Sequence, residues 1–220
     1  MGKLDYRTLR ENVADEIRMK LLNGDMKPGD KIIEQELASE FGISRGPVRE
    51  ALRQLEQEGM VEYSRNVGCS VKHIGMDDVY EIYYMRANYE MMAVRLYNAP
   101  FPRETIEKME QVLEQMKQLH KDEYRKVFEL DNEFHEAILD LVSFMRLKKA
   151  WEDLNYGNIV IGYNMAVDSD QVIKRQYLIH EKLLSACKTG TTAQVEQAIA
   201  DHYLVGVEKL IQKVDKKHEK

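Results

Sequence analysis

The 220-residue sequence holds only two cysteines, Cys69 and Cys187, and no C-x-x-C pair. No disulfide framework follows from them; isolated thiols of this kind point to a reducing cytosol, where they serve as small buried hydrophobes. Long apolar runs are missing as well. Without a stretch of about 18 apolar residues or a signal-like N-terminus, the sequence argues against membrane insertion and export and for a cytoplasmic protein. Nor is there an excess of positive charge, since 32 Lys+Arg face 38 Asp+Glu for a formal net charge of -6. Residues 1–75 alone count 12 basic against 13 acidic side chains. A nonspecific nucleic-acid coat, whose domain pI usually exceeds about 9, is thereby excluded, and any cationic footprint has to be local. Internal repeats are absent. The one low-complexity piece is the lysine-rich tail after Val214, expected as a frayed, solvated end.

What the chain does have is a patterned stretch from Glu34 to Arg53, EQELASEFGISRGPVREALR. Leu37, Ala38 and Phe41 give a short apolar helix face, and Gly42 can end that helix with φ above zero. Ser44 then suits an N-cap, and Pro47 falls in the first turn of the next helix, where its missing N–H does little harm. From there Val48, Ala51, Leu52 and Leu55 form one stripe, while Arg45, Arg49 and Arg53 recur at i, i+4, i+8 on a face roughly 110° away. The spacing predicts a helix-turn-helix whose second helix has a packing side and a cationic side. Guanidiniums near such a helix N-terminus reach phosphates and guanine edges in a major groove, and Gly46 lets the backbone come close. The competing reading is a surface helix whose arginines pair with Glu50, Glu56 and Glu58.

The segment ISRGPVREALRQLEQEGMVE resembles the winged-helix signature of the GntR transcriptional regulators, through Ser44, Arg45, Pro47, Val48, Arg49, Glu50, Ala51 and Leu52, with Leu55, Gly59 and Val61 behind them. It departs at Gly46, where that family often has threonine. Around the motif, Leu9, Val13, Ile17 and Leu21 mark an amphipathic helix, and Lys31 to Ile33 a very short strand. Residues 60–64 and 69–71 read as a hairpin with its tip at Arg65 to Gly68, the wing. Arg65 and Gly68 are expected to touch a phosphate or the minor groove, against the alternative of an ordinary polar hairpin tip.

From Asp77 onward the chain reads as helices almost without interruption, at about 77–97, 103–120, 122–141, 144–166, 170–188 and 192–214, an all-α antiparallel bundle of six. Asp168-x-x-Gln171 and Thr191-x-x-Gln194 look like capping boxes for the last two. The sequence therefore divides into a winged helix-turn-helix over 1–75 and a helical domain over 76–220. In the third of these helices Asp131 and His135 fall on the apolar seam of Phe128, Phe134, Ile138 and Val142. His180 lies in line with Ile173, Tyr177, Leu184 and Cys187, and His202 in line with Val195, Ala198, Ile199 and Val205. Buried unpaired, such groups cost roughly 1–3 kcal/mol each, so something must satisfy them. One divalent ion held by all four is a solution that oxygen and imidazole donors permit for zinc, nickel, manganese or iron. Separately satisfied core histidines are the other.

The helical half resembles the FCD ligand-binding domain found behind GntR heads, of the shorter six-helix, VanR-like kind. Its metal motif, Asp-x-x-x-His followed by two later histidines, matches Asp131, His135, His180 and His202. The resemblance also implies an effector-binding arginine early in the domain, a place taken by Arg86; a salt bridge to Glu81 or Glu90 is its alternative. Taken whole, the resemblance implies a homodimeric repressor of palindromic double-stranded operator DNA, governed by a small carboxylate effector at the metal. Two other readings stay open: a purely structural metal, and a metal-dependent enzyme domain. The second lacks a general base, because Glu133 and Glu136 turn away from the Asp131 seam. Tyr83, Tyr84, Tyr156 and Tyr163 are expected in the core or lining a pocket.

Overall fold

The computed structural model describes residues 8–23, 25–65, 67–73, 75–123, 126–155 and 169–204. The chain divides into two compact units, Met1–Ile74 and Gly75–Lys220. In the first, α1 (Leu9–Asn23) is followed by β1 (Lys31–Ile32), α2 (Glu34–Glu40), α3 (Arg45–Gln57), β2 (Val61–Ser64) and β3 (Gly68–Val71). The strands form one antiparallel sheet in the order β1-β3-β2, with Ile32 and Tyr63 both opposite Cys69. Val13, Ala14 and Ile17 of α1 close over Val48, Ala51, Leu52 and Leu55 of α3, all buried, whereas Leu9 stays exposed. Arg18 of α1 donates to both oxygens of Glu58 at 3.0 and 2.6 Å and so ties α1 to the end of α3.

Two glycines set the turns that aim α3. Gly42 (φ 65°) lets the Ile43 amide reach back to the Ala38 carbonyl at 3.0 Å, and Gly59 (φ 74°) lets Met60 reach Leu55 at 2.9 Å. Each helix thus ends with a left-handed residue that satisfies otherwise orphaned carbonyls, a conformation that costs glycine nothing sterically. Ser44 occupies the N-cap position of α3 with extended backbone, but its hydroxyl makes no capping hydrogen bond, contrary to the expected role.

The second unit contains α4 (Met76–Tyr97), α5 (Arg103–Gln118), α6 (Lys126–Leu139), α7 (Met145–Glu152), α8 (Ser169–Thr189) and a further helix, α9, over 192–204. Met109 and Met116 of α5, Phe134 and Ile138 of α6, Leu183 of α8 and Ile199 of α9 form its buried core. The expected helix over 122–141 is shorter: a 3-10 turn at Lys121–Glu123 precedes it, closed by the Glu123 amide on the His120 carbonyl at 2.9 Å. The expected helix over 144–166 is interrupted by a turn at 153–154, Asn155 is helical again, and the remainder beyond 155 lies outside the described residues, as do Tyr156, Tyr163 and Asp168. Thr191 and Gln194 form the anticipated capping box, amide to side chain at 2.9 Å one way and 3.4 Å the other. Tyr84 is neither core nor pocket wall; it is exposed and stacks on Tyr80. Both cysteines are free and buried, and burial pushes the thiols up to about 11 for Cys69 and about 12 for Cys187.

Candidate functional site

Because Val48, Ala51, Leu52 and Leu55 turn α3 inward, the opposite side must face solvent, and Arg45, Arg49 and Arg53 are all exposed there. Ser44 and Gly46 are exposed beside them, with Pro47 half-buried. The β2–β3 tip brings Arg65 and Gly68, the latter at φ 98°, to the surface of the same unit. A groove of about 720 Å³ runs between helix and wing, lined by Arg45, Arg49 and Arg53 on one side and Tyr63 and Gly68 on the other. The arginines do not pair with Glu50, Glu56 or Glu58. Glu34, at the start of α2, takes Arg49 through Nε at 3.1 Å and NH2 at 2.9 Å, and takes Arg45 through NH2 at 3.0 Å. Hydrogen bonds from Arg49, then from Arg45, hold the Glu34 carboxyl below its usual range against some desolvation. Both guanidiniums remain about half exposed, so these ion pairs are weak and exchangeable for phosphate.

In the second unit Asp131, His135, His180 and His202 come together. One donor atom from each lies within 4.8 Å of all the others; three of the side chains are buried and His202 is half-buried. Asp131 and His135 project side by side from α6 because they are one helical turn apart, and α8 and α9 supply the facing histidines. His180 donates from Nδ1 to the Gln176 carbonyl at 2.7 Å, which leaves Nε2 toward Asp131 Oδ1 at 3.1 Å. His135 Nδ1 meets Glu90 Oε2 at 2.7 Å, and its Nε2 lies 3.0 Å from Nε2 of His202. Three imidazoles therefore offer their Nε2 atoms to one carboxylate. Burial alone would raise the Asp131 carboxyl, but the His180 ring at 3.1 Å and the nearby His135 and Arg86 hold it far below its ordinary value. Desolvation, with His180 and His135 close by, holds the His202 imidazole well below its own.

Arg86 stands next to this cluster, fully buried on α4 with its guanidinium 4.2 Å over the Trp151 ring. Its Nε donates to Tyr203 Oη at 3.2 Å and its NH1 to Asn155 Oδ1. Among the described residues NH2 has no hydrogen-bond partner and sits 4.0 Å from Asp131 Oδ2, and His180 Nε2 and His202 Nδ1 are buried without a hydrogen-bond partner too. Of these, His180 Nε2 belongs to the set of Nε2 atoms and Oδ1, and a cation bound among them would satisfy it, as oxygen and imidazole donors permit. Glu133 is exposed and Glu136 pairs with Lys148 at 2.6 Å, so neither acts on the cluster.

Residues 9–71 match the family described as "Bacterial regulatory proteins, gntR family", and residues 81–204 match the FCD domain. The chain belongs to the gntR family and carries an FCD domain. It is 28% identical over 194 residues to the uncharacterized HTH-type transcriptional regulator YdhC of Bacillus subtilis, covering 86% of this chain and 85% of that one. It is 27% identical over 201 residues to the probable D-xylose utilization operon transcriptional repressor of Paenarthrobacter nicotinovorans, at 91% and 88% coverage. The fold is that of the solved E. coli McbR/YncC, with a TM-score of 0.72 and 22% identity over 94% of this chain and 99% of that one. This gntR-family protein is thus a DNA-binding transcriptional regulator and not an enzyme.

Sequence reasoning missed Glu34 and gave Glu90 only as an alternative partner for Arg86. Glu34 has a measurable consequence for a gntR-family head. Its carboxylate competes with phosphate for two guanidiniums, so Glu34→Gln is expected to strengthen binding to a random duplex by about fivefold at low salt, roughly 1 kcal/mol, with the gain fading as salt rises. Fluorescence anisotropy across a salt series checks this; unchanged or weaker binding would mean that Glu34 holds the arginines in their reading pose.

Proposed function

We propose that the protein is a homodimeric cytoplasmic repressor whose grip on a palindromic operator is controlled by a small organic or sugar acid bound at a metal site. Ser44, Arg45, Gly46, Pro47, Arg49 and Arg53 of the helix-turn-helix, with Arg65 and Gly68 of the wing, form the operator-reading face, and twofold symmetry in the protein is mirrored in the half-sites. Asp131, His135, His180 and His202 would hold the metal. That ion, zinc, nickel, manganese or iron, would supply open coordination positions for an acid oxygen. The observation that carries the effector reading is the Arg86 NH2 group, buried 4.0 Å from Asp131 and without a hydrogen-bond partner among the described residues. A guanidinium held by Trp151, Asn155 and Tyr203 with one edge left over suits a carboxylate. The relative named for a D-xylose utilization operon is in keeping with a sugar-derived acid.

For such an acid to switch transcription it must favour one arrangement of the DNA-binding heads, by about 1–3 kcal/mol, or roughly 5- to 150-fold in operator affinity. The test is operator binding by the metal-loaded protein across a panel of small hydroxy- and sugar acids. An acid that binds the protein and weakens operator affinity within that range supports the switch. An acid that occupies the pocket and leaves DNA affinity unchanged overturns it. The burial of three of the four candidate ligands also favours a metal that only braces the helices, and unfolding on chelation, with no acid found to bind, would select that reading.

A further inference from the structure

Glu90 lies on α4 one turn after Arg86, fully buried, in a position where a glutamate would ordinarily face water. Its carboxylate takes three donors from three other helices. Oε2 receives the His135 Nδ1–H of α6 at 2.7 Å, and Oε1 receives the Trp151 Nε1–H of α7 at 2.9 Å and the Tyr203 hydroxyl of α9 at 2.6 Å. Tyr203 in turn accepts from Arg86 Nε at 3.2 Å. Held on both oxygens, the carboxylate has one place to be, and that place fixes both the tautomer and the ring plane of His135.

We infer that Glu90 is the positioning residue of the metal centre: it keeps the proton of His135 on Nδ1 so that the Nε2 lone pair is delivered to the point shared with Asp131, His180 and His202. The inference rests on the metal reading of that cluster. It follows from the different backing of the three imidazoles. His135 is backed by a carboxylate, His180 by the Gln176 carbonyl at 2.7 Å, and His202 Nδ1 by no hydrogen-bond partner among the described residues. A carboxylate behind an imidazole makes the opposite nitrogen a better donor than a carbonyl does, and loss of such a partner typically weakens metal binding by about 10- to 100-fold. His135 is thereby the anchoring imidazole of the set. A merely structural Glu90 would serve Trp151 and Tyr203 equally well but would leave metal affinity alone.

The test is Glu90→Gln in the full-length protein, which keeps the shape and an acceptor but loses the charge. Zinc affinity by chelator competition is expected to fall about 10- to 100-fold, with the cobalt-substituted protein showing displaced ligand-field bands. Trp151→Phe and Tyr203→Phe, which leave the Glu90–His135 pair in place and remove one donor each from Glu90, are expected to lower the melting temperature of the metal-free protein and to weaken zinc binding less than Glu90→Gln does. Should Glu90→Gln fail to fold, imidazole nitrogen shifts of metal-free wild type decide the point, with His135 expected as the Nδ1–H tautomer. Wild type that takes up no zinc or cobalt overturns the proposed metal centre and this role together. Wild type that binds metal, alongside a Glu90→Gln variant of equal affinity or a His135 ring protonated on Nε2, overturns the role of Glu90 alone.

Discussion

His180→Ala is expected to lose bound metal by more than about 100-fold while the protein still binds its operator, now without response to an acid. The imidazole is fully buried, its Nδ1 is committed to the Gln176 carbonyl, and its Nε2 is the nitrogen that approaches Asp131, at 3.1 Å. Its ring also stands edge-on to Phe134, with centroids 4.9 Å apart, so packing holds it in place. Removing a ligand outright must cost more than the roughly 10- to 100-fold typical of removing a ligand's hydrogen-bond partner. Metal content after dialysis and chelator competition measure the loss, and circular dichroism checks that the helices persist. A variant that keeps its metal would mean that the cluster is a set of core histidines.

Arg49→Ala is expected to weaken operator binding by at least about 1–3 kcal/mol, roughly 5- to 150-fold, with metal affinity untouched. The buried stripe of α3 does not include Arg49, and alanine is the best helix former, so the fold has no reason to change. In the free protein the side chain hangs on Glu34 through Nε and NH2, and its exposed guanidinium is available to a base edge or a phosphate. Anisotropy titrations against operator and scrambled duplexes separate the two uses: a loss confined to the operator is base reading, and an equal loss on both is phosphate contact. An unchanged operator affinity would remove Arg49 from the reading face. The two variants fail in different assays, and coincident phenotypes would contradict the division of labour between the two units.

Much of this was legible because it depends on spacing within one helix. The stripe Val48, Ala51, Leu52 and Leu55 buries one side of α3, and the arginines at i, i+4, i+8 had to emerge on another. The turn at Gly42 was marked by the residue that tolerates positive φ. Asp131 and His135 sat on an apolar seam where only a partner in space could satisfy them. What was hidden depends on contacts between elements. Glu34 and Arg49 are fifteen residues apart in the chain, and the acid that α3 itself offers at its C-terminal end, Glu58, is taken by Arg18 of α1. Spacing within α4 offers Glu90 only as a partner for Arg86, because its three donors lie 45, 61 and 113 residues further on. The 3-10 turn at Lys121–Glu123 has no glycine or proline to announce it.

Anomalous X-ray scattering from crystals of the protein purified from its own host, without added metal or chelator, bears most directly on the central claim. A single anomalous peak among the side chains of Asp131, His135, His180 and His202, with acid density reaching Arg86, is the predicted result. A refined site with no scatterer, in which His180 is simply hydrogen-bonded to Asp131 and Arg86 NH2 is turned to another protein group, would contradict it.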